Sequence, residues 1–356
     1  MTELPLGVAV APALAVRACI AAEDARRDAY VRAHPRGTLF HLSGWRRVVE
    51  RVHAHDGLDL SAWRGDRLVG VLPLMLCRGI LGARVLVSSP YATYGGPLGD
   101  DAAVERALVE RAARMADELR ASYLELRCVD DPGLGLPESS LYHTFMRDLP
   151  DSPDKVLGMM PKKARAEARK ARDKHRLELS SGHWYLDDLH RMFVLNKKEL
   201  GSPGLPTAHF RALLEQFGRN VFVHLVRQGG TPLSAVMSFA YGDTLIAYYA
   251  GTQPGADRAV SASNFMYMAL QEWAVERGFK RFDFCRSRIG SGAFDFKRHQ
   301  GFEPKPLHYC YHLARRAKPP TFNPSNPRTA VLRRAWSKLP VWLANALSDR
   351  LARYLP

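Results

Sequence analysis

The hydrophobic positions in the first 150 residues alternate with polar ones in short runs, which are interrupted by one longer helical pattern. Period-two runs predict strands at 58–63, 68–76, 84–88 and 123–128, and apolar residues spaced three and four apart predict a helix at 102–121. The turn signal Arg64-Gly65-Asp66-Arg67 joins the first two strands into a hairpin. This part of the chain is therefore predicted to be mixed α/β.

The second half of the chain repeats this coarse order of elements. The patterns predict helices at 161–175, 186–200, 207–218, 261–277 and 294–299, and strands at 221–227, 232–241, 244–250, 281–285 and 307–313. A chain of 356 residues is long for one domain. We therefore predict an α/β (α+β) protein with one domain at 1–149 and a second at 150–314.

The remaining residues, 315–356, form a different kind of segment. A linker containing Pro319-Pro320 and Asn323-Pro-Ser-Asn-Pro327 precedes a basic amphipathic stretch, in which Pro340 is expected to separate two short helices. Its apolar side chains recur at spacings of three and four residues, namely Leu332, Trp336, Leu339, Leu343 and Leu347. This pattern fits helices that dock on the protein itself, and it equally fits helices that lie on an anionic membrane surface.

The formal net charge of +15 is concentrated in two segments. Residues 161–176 carry eight Lys or Arg against two carboxylates, and residues 315–356 carry nine against one. Such segments attract phosphate-bearing substrates, RNA or anionic membranes. In the helix at 161–175, one stripe is formed by Lys162, Arg165, Arg169 and Arg172, opposite a face of alanines. We predict that this stripe binds phosphate; a solvated basic surface is the alternative.

The cysteines and histidines do not suggest a metal site. Five scattered cysteines lack any C-x-x-C spacing, which argues against structural zinc and a disulfide framework and fits a reducing cytoplasm.

The apolar stretch from Leu4 to Val16 follows Glu3 without a basic region, so a cleaved signal peptide is not expected. No apolar run approaches the roughly 18 residues of a membrane span. We predict a cytoplasmic protein, peripheral at the membrane if the tail binds it.

Several motifs in a fixed order resemble one family. They are Phe282-Asp-Phe-Cys-Arg-Ser287, Gly290-Ser-Gly292, Phe296-Lys297 and Gly301-Phe-Glu-Pro304, supported by Gly70-Val-Leu-Pro-Leu74, the loop from Ser89 to Gly96, Leu200-Gly-Ser-Pro203, and the tail motifs Asn323–Pro327 and Leu339-Pro340. Together they resemble the FemAB-like proteins of exosortase/PEP-CTERM and exopolysaccharide systems, within the Fem/GNAT N-acyltransferase superfamily. Cys285 departs from the family pattern, which has glycine there.

The resemblance implies tandem GNAT-like domains with mixed, mostly antiparallel sheets, and amide formation as the chemistry. An amine would attack an acyl group activated as a thioester or as an aminoacyl-tRNA ester, without a tightly bound cofactor or a metal. The acceptor would be a phosphate-bearing or lipid-linked precursor of the cell envelope or of an exopolysaccharide. We find no convincing nucleophile in the sequence, which fits direct transfer.

The resemblance also implies which residues form the site. Strands 244–250 and 281–285 would splay apart to admit the acyl group, and Lys297 would serve the catalytic centre by stabilising an oxyanion or a substrate carboxylate. From their positions at the end of the strand, Asp283 and Arg286 are further catalytic candidates, and a structural ion pair of Asp283 with Arg286 or Arg288 is the alternative. The substrate-binding candidates are Tyr248, Tyr249, Asn264, Asn196, Tyr91 and Tyr94. Adjacent tyrosines in a strand more often place one ring in the core and one on the surface, and the two asparagines are equally compatible with capping roles.

The loop after strand 244–250 bears on the acyl donor. GNAT proteins that bind CoA usually carry R-x-x-G-x-G/A here, whereas this chain has Gln253-Pro-Gly-Ala-Asp257-Arg258, and Asp257 would repel a pyrophosphate unless Arg258 pairs with it. Aminoacyl-tRNA is therefore the favoured donor and acyl-CoA the alternative. Two further alternatives are an acyl-CoA-dependent N-acyltransferase of a sugar amine and a non-catalytic membrane-associated module of a polysaccharide assembly system. Aromatic residues do not interleave with the basic runs, which argues against a nucleic-acid-binding protein.

Overall fold

The computed structural model describes residues 12–79, 82–320 and 327–354. Its strands are β1 Leu14–Ala18, β2 Asp56–Gly57, β3 Leu60–Arg64, β4 Arg67–Leu72, β5 Met75–Arg78, β6 Arg84–Val87, β7 Leu98–Gly99, β8 Leu124–Cys128, β9 Glu138–Ser139, β10 Tyr142–Asp148, β11 Leu177–Ser181, β12 Val221–Gln228, β13 Thr231–Tyr241, β14 Thr244–Thr252, β15 Arg281–Asp283, β16 Ser287–Arg288, β17 Pro304–Pro306 and β18 His308–His312. Its helices are α1 Asp24–Ala33, α2 Ser43–His53, α3 Ala102–Glu118, α4 Val156–Met159, α5 Lys162–Asp173, α6 Leu186–Glu199, α7 Thr207–Phe217, α8 Ala256–Val260, α9 Ala262–Glu276, α10 Gly292–His299, α11 Pro327–Lys338 and α12 Val341–Leu351.

The long elements lie where the hydrophobic pattern predicts them. The helices predicted in the two halves correspond to α3, α5, α6, α7, α9 and α10, with ends that differ by a few residues. The predicted division of the tail at Pro340 is confirmed, because α11 ends at Lys338 and α12 begins at Val341. Residues 4–11 of the N-terminal apolar stretch and residues 321–326 of the linker lie outside the described residues.

The strands form three sheets. The first has the order β1-β3-β4-β7, the second β2-β5-β6-β8-β18-β9, and the third β11-β12-β13-β14-β15-β10-β16, with β17 paired to β10. Antiparallel pairs predominate, and the parallel pairs are β6 with β8 and β14 with β15. Each half of the chain thus has a mixed sheet that contains one parallel pair, as the tandem arrangement implied.

The two halves exchange one strand each. β10 lies before the predicted boundary at residue 149, yet it pairs with β15 of the second half, with Met146 opposite Asp283. β18 comes from the second half and pairs with β8 of the first, with Cys310 opposite Leu126. The chain therefore crosses between the halves on both sides of the second domain, and the sheets do not divide at a single point in the sequence.

A shared core joins the two halves. Trp45 of α2 and Phe210 of α7 belong to the same buried cluster as Phe239 of β13, so side chains from both halves exclude water together. A second cluster lies between α5, α9 and the third sheet, and a third surrounds α3. The relative position of the two halves is therefore fixed by a continuous buried core.

The tail packs on the body through its inner side. Lys198 donates to the carbonyl of Ser337 at 2.6 Å, the Ser348 hydroxyl accepts from the backbone of Gly204 at 3.0 Å, and the Tyr91 hydroxyl donates to the carbonyl of Ala352 at 3.2 Å. Docking on the protein itself, one of the two expectations for this segment, is therefore observed. The outer side exposes Leu332 and Trp342, at 71% and 70%. No helix in the described ranges is long and apolar enough to cross a membrane.

Candidate active site

Two neighbouring parallel strands of the third sheet diverge, as predicted. β14 and β15 are paired from Thr244 and Arg281 to Ile246 and Asp283, and there the pairing ends. β14 continues to Thr252, and within the described chain this part of its edge has no strand partner on the β15 side. Backbone N–H groups along such an edge are available to hydrogen-bond a carbonyl oxygen that enters the gap.

A β-bulge places two tyrosines on one face of β14. The register against β13 shifts so that Met237 lies opposite Tyr249 and Ser238 lies opposite Ala247, which leaves Tyr248 as the extra residue. Both rings therefore join the core between the two halves. The expectation of one ring in the core and one on the surface is wrong, because the bulge breaks the alternation on which it rests.

A cavity of about 320 Å³ opens beside these tyrosines, at the divergence of the strands. It is lined by Tyr91, Thr93, Phe193, Lys197, Pro203, Leu205, Tyr248, Tyr249, Phe284, Cys285, Arg286 and Lys297. Three of these residues are cations, and no Asp or Glu of the described residues lines the cavity. The cavity is thus walled by both halves, by the loop under the tail, and by positive charge.

Arg286 spans the two halves at this cavity. It follows β15, and its guanidinium donates to the Tyr309 hydroxyl of β18 at 2.7 Å. It also lies 4.8 Å from the ring centroid of Tyr142 and 5.6 Å from that of Tyr309. The exchanged strands β10 and β18 therefore supply the surroundings of Arg286, and these partners carry no formal negative charge.

Lys197 is the site residue that sequence reasoning missed. It lies near the end of α6 and lines the cavity with its ammonium group 5.4 Å from the ring centroid of Phe193. Burial and then the nearby Arg286 lower the pKa of Lys197. A sequence signal was present, because Leu189, Phe193 and Lys197 are spaced four residues apart and so continue the buried stripe of the helix.

Lys297 lines the cavity, but its hydrogen bonds are directed to the backbone. Its ammonium group donates to the carbonyls of Phe284, Cys285 and Arg286, at 2.5, 3.0 and 3.1 Å. Burial lowers the pKa of Lys297 to about 8. All three donors of an ammonium group are thereby used, so this geometry gives Lys297 the task of holding the loop after β15. In this geometry the ammonium group has no N–H left to donate to an oxyanion, which was the role expected from the sequence.

Cys285 has a backbone conformation that explains the glycine of the family pattern. Its φ of 57° lies in the left-handed region, which costs a residue with a Cβ atom roughly 1–2 kcal/mol. The side chain is buried and lines the cavity. Burial raises the pKa of the Cys285 thiol far above its usual range, which disfavours the thiolate that a nucleophilic cysteine requires.

Asp283 is buried behind the cavity and does not line it. Its Oδ1 accepts from the backbone of Cys285 at 2.7 Å and from the hydroxyl of Tyr94 at 3.2 Å. Burial raises the pKa of Asp283 to about 6. Tyr94 is also hydrogen-bonded to Thr144, and it too does not line this cavity. These two candidates thus join the halves behind the site.

A second cavity of about 690 Å³ follows the loop between β14 and α9. Asn196 lines it, and both ends of its amide bind the backbone of Thr252, at 2.7 and 2.8 Å. Asn264 accepts a hydrogen bond from Gln300 at 2.5 Å. The two asparagines therefore hold neighbouring elements together in this structure.

The N-terminus of α9 is filled by the chain's own carboxylate. Asp257 accepts from the backbone N–H of Ser263 at 2.7 Å and from its hydroxyl at 2.8 Å. This is the end of the helix where a pyrophosphate would bind in a GNAT protein that carries the CoA motif. The carboxylate is already placed there, so a second anion would meet repulsion and would find the N–H of Ser263 occupied.

The basic stripe of α5 lies away from both cavities. Its opposite face is buried as predicted, through Ala164, Ala168 and Ala171. Arg172 forms an ion pair with Glu272 at 2.5 Å. None of Lys162, Arg165, Arg169 and Arg172 is among the described residues that line the two cavities. Phosphate binding by this stripe stays a prediction about the surface of the protein.

A chain of hydrogen bonds leads from the cavity into the core. The Tyr249 hydroxyl lies 2.9 Å from Nε2 of His209, whose Nδ1 lies 3.0 Å from Nε2 of His53. Burial lowers the pKa of His209 to about 3 and that of His53 to about 2, so both rings are neutral. These buried hydrogen bonds fix the Tyr249 ring.

Among the residues that the structure describes, no cluster of His, Cys, Asp and Glu could hold a metal.

Comparison with known proteins agrees with this geometry. Residues 160–298 match the family described as "Acetyltransferase (GNAT) domain". The structure is similar to a crystal structure of FemX, with a TM-score of 0.61 and 14% identity, over 81% of this chain and 96% of that one. The fold is a tandem GNAT-like fold. The matched residues include Lys197, Tyr248, Tyr249, Arg286 and Lys297. These cavity residues therefore lie in the part of the chain that matches the acetyltransferase family.

Two further structures have the same fold. A tandem GNAT protein from the clavulanic acid biosynthesis pathway is 14% identical, with a TM-score of 0.55 over 87% of this chain and 100% of that one. The C-terminal domain of a putative lysylphosphatidylglycerol synthetase from Agrobacterium fabrum is 13% identical, with a TM-score of 0.51 over 88% and 96%. No curated protein matches the sequence.

Proposed function

We propose that this protein is an N-acyl or aminoacyl transferase that forms an amide bond at the cavity between its two halves. The observation that carries the proposal is the divergence of β14 and β15 at a cavity lined by Lys197, Arg286 and Lys297. An acyl transfer needs an opening for the carbonyl group and donors that stabilise its developing negative charge. The unpaired edge of β14 provides the opening, and its N–H groups together with Lys197 and Arg286 provide the donors.

The reaction would be direct. The amine nitrogen attacks the acyl carbon and forms the amide bond, the bond to the leaving sulfur or tRNA ribose oxygen breaks, and the proton lost by the amine is taken up by that leaving atom. Cys285, which lines the cavity, is held in its thiol form by burial, so direct transfer without a covalent acyl-enzyme is the simpler route. Tyr248 donates to the carbonyl of Tyr91 at 2.6 Å and thereby closes one wall of the cavity against water.

Aminoacyl-tRNA is the donor that the loop before α9 favours. Asp257 occupies the helix end that a CoA pyrophosphate would use. Acyl-CoA is the second candidate, because the open cavity of about 690 Å³ beside this loop is large enough for part of such a ligand. Titration calorimetry with CoA and with a charged tRNA separates the two donors. Binding of CoA at micromolar concentration would contradict the preference for tRNA.

The acceptor is proposed to be a precursor of the cell envelope or of an exopolysaccharide, as the resemblance to FemAB-like proteins of exosortase systems implies. A lipid-linked acceptor would suit the tail, which exposes Leu332 and Trp342 beside basic residues. Cosedimentation with phosphatidylglycerol vesicles tests this association. Leu332→Glu should reduce binding, whereas Ile20→Glu, at an exposed apolar residue outside the tail, should not. Equal binding by both variants would exclude the tail as a membrane surface.

Transfer itself is tested by loss of the acyl group from radiolabelled aminoacyl-tRNA or acetyl-CoA in the presence of an amino sugar phosphate. Arg286→Gln should lower the rate by at least about tenfold, since it removes a cation from the cavity. Arg288→Gln is the matched control, because Arg288 lies two residues further on and does not line the cavity. Binding without transfer from either donor would favour the non-catalytic module instead.

A further inference from the structure

The positive charge of the cavity is incompletely balanced by the protein. Lys297 is satisfied by three carbonyl oxygens, and the buried carboxylate of Asp283 lies near enough to favour its charged form. Arg286 has a phenol and two aromatic rings as partners. The ammonium group of Lys197 has no hydrogen bond or ion pair to any residue that the structure describes, and it lies beside the Phe193 ring.

Cations that are partly removed from water are costly unless an opposite charge accompanies them. The cost is visible here, because Arg286 contributes to the lowered pKa of Lys197. The two side chains come from different elements, α6 and the loop after β15, yet they line the same cavity. An anion bound between them would remove their mutual repulsion and supply the missing hydrogen-bond acceptors.

We propose that Lys197 and Arg286 form a subsite for an oxyanion of the substrate, either a phosphate ester or a carboxylate. The inference deepens the proposed function, on which it rests for the statement that the anion belongs to a substrate. A guanidinium can bind two oxygens at once, and an ammonium adds a compact charge. Thr93 also lines the cavity, and a volume of about 320 Å³ exceeds that of a single phosphate group.

The position of the subsite indicates its purpose. Consecutive residues line the two cavities at three places, namely Asn196 and Lys197, Tyr249 and Ala250, and Phe296 and Lys297. The two cavities therefore lie next to each other along α6, β14 and α10. An oxyanion held at Lys197 and Arg286 would fix one end of its substrate directly beside the gap through which the acyl group enters.

The test is titration calorimetry of the full chain with pyrophosphate, orthophosphate and acetate at constant ionic strength. We expect Lys197→Met to weaken binding of the preferred anion by about tenfold to a hundredfold, since a hydrogen bond to a charged group is lost. Lys197→Arg should stay within about threefold of the wild type, because it keeps the charge. Preference for pyrophosphate identifies a phosphate ester as the ligand, and preference for acetate identifies a carboxylate.

Two controls make the test decisive. Lys163→Met removes an exposed lysine of α5 that lies off the basic stripe, and it should leave anion binding unchanged. Arg169→Met tests the stripe itself. The proposal is overturned if no anion binds, if Lys197→Met binds as tightly as the wild type, or if only Arg169→Met weakens binding. Because binding is measured without turnover, an anion that binds to a protein inactive with both donors would refute the proposed function and leave the subsite intact.

Discussion

The replacement Asp283→Asn tests whether this buried carboxylate is a catalytic group or a structural one. Asparagine keeps an oxygen that can accept from the Cys285 backbone at 2.7 Å and from the Tyr94 hydroxyl at 3.2 Å. It removes only the charge and the ability to titrate. Asp283 is 2% exposed and does not line the cavity, so the surrounding packing is preserved.

The expected size of the effect follows from the pKa. Burial raises the pKa of Asp283 from 3.8 to about 6, which corresponds to about 3 kcal/mol against the charged form in the folded protein. Between pH 3.8 and 6, the folded state holds a proton that the unfolded state has released, so the stability from this group falls as the pH rises. Asp283→Asn should therefore raise the free energy of unfolding by about 1–3 kcal/mol at pH 7. The gain should shrink towards pH 4.

Urea unfolding at pH 4 and pH 7, together with transfer activity, gives the measurement. Asp130→Asn is the matched control, since that carboxylate pairs with Lys305 at the surface and should change stability by less than about 1 kcal/mol. A loss of stability at pH 7, or a difference that does not vary with pH, would refute the reasoning. A hundredfold loss of activity with retained stability would instead support the catalytic role that its position in the sequence suggested.

Three further replacements test the loop after β15 and the donor site. Lys297→Met should lower the free energy of unfolding by about 2–4 kcal/mol in urea, because three buried carbonyls lose their donor; an unchanged midpoint would contradict the assignment. Cys285→Gly should stay within about 1 kcal/mol of the wild type, since glycine tolerates a φ of 57°, whereas Cys285→Val should cost about 2 kcal/mol or more in the same assay. Asp257→Asn keeps the acceptor for Ser263 and removes its charge, so calorimetry should show CoA binding about two- to fivefold tighter, and weaker binding would speak against a pyrophosphate site at α9.

The elements that the sequence predicted well are those with strong local periodicity. α3, α9 and the hairpin of β3 and β4 each carry a hydrophobic pattern that their own residues determine. β10 was missed because polar residues such as His143, Thr144 and Arg147 interrupt its pattern, and because its partners lie far along the chain. The exchange of β10 and β18 is set by long-range packing, so no local signal could place the boundary between the sheets.

The sequence motifs named only some of the residues that the structure brings together at the cavity. The motifs around Arg286 and Lys297 do lie at one cavity together with the two tyrosines. The side of the strand that Tyr248 and Tyr249 face depends on a bulge, and alternation alone predicts the opposite arrangement. No motif in the sequence indicates Lys197, because lysines at the end of a helix are usually solvated. Its spacing from Phe193 shows why this lysine is turned towards the interior.

The position of Lys297 connects these details. Its ammonium group draws three successive carbonyls to one point, and this can happen only if the chain reverses its usual extended course between Phe284 and Arg286. The left-handed conformation of Cys285 is that reversal. Asp283 secures it from the other side by accepting from the Cys285 backbone. The turn that results carries the Arg286 side chain off the line of β15 and into the cavity. Lys297 thus acts as a positioning residue for Arg286, and this explains why a lysine enclosed by carbonyls lies at the centre of a site for acyl transfer.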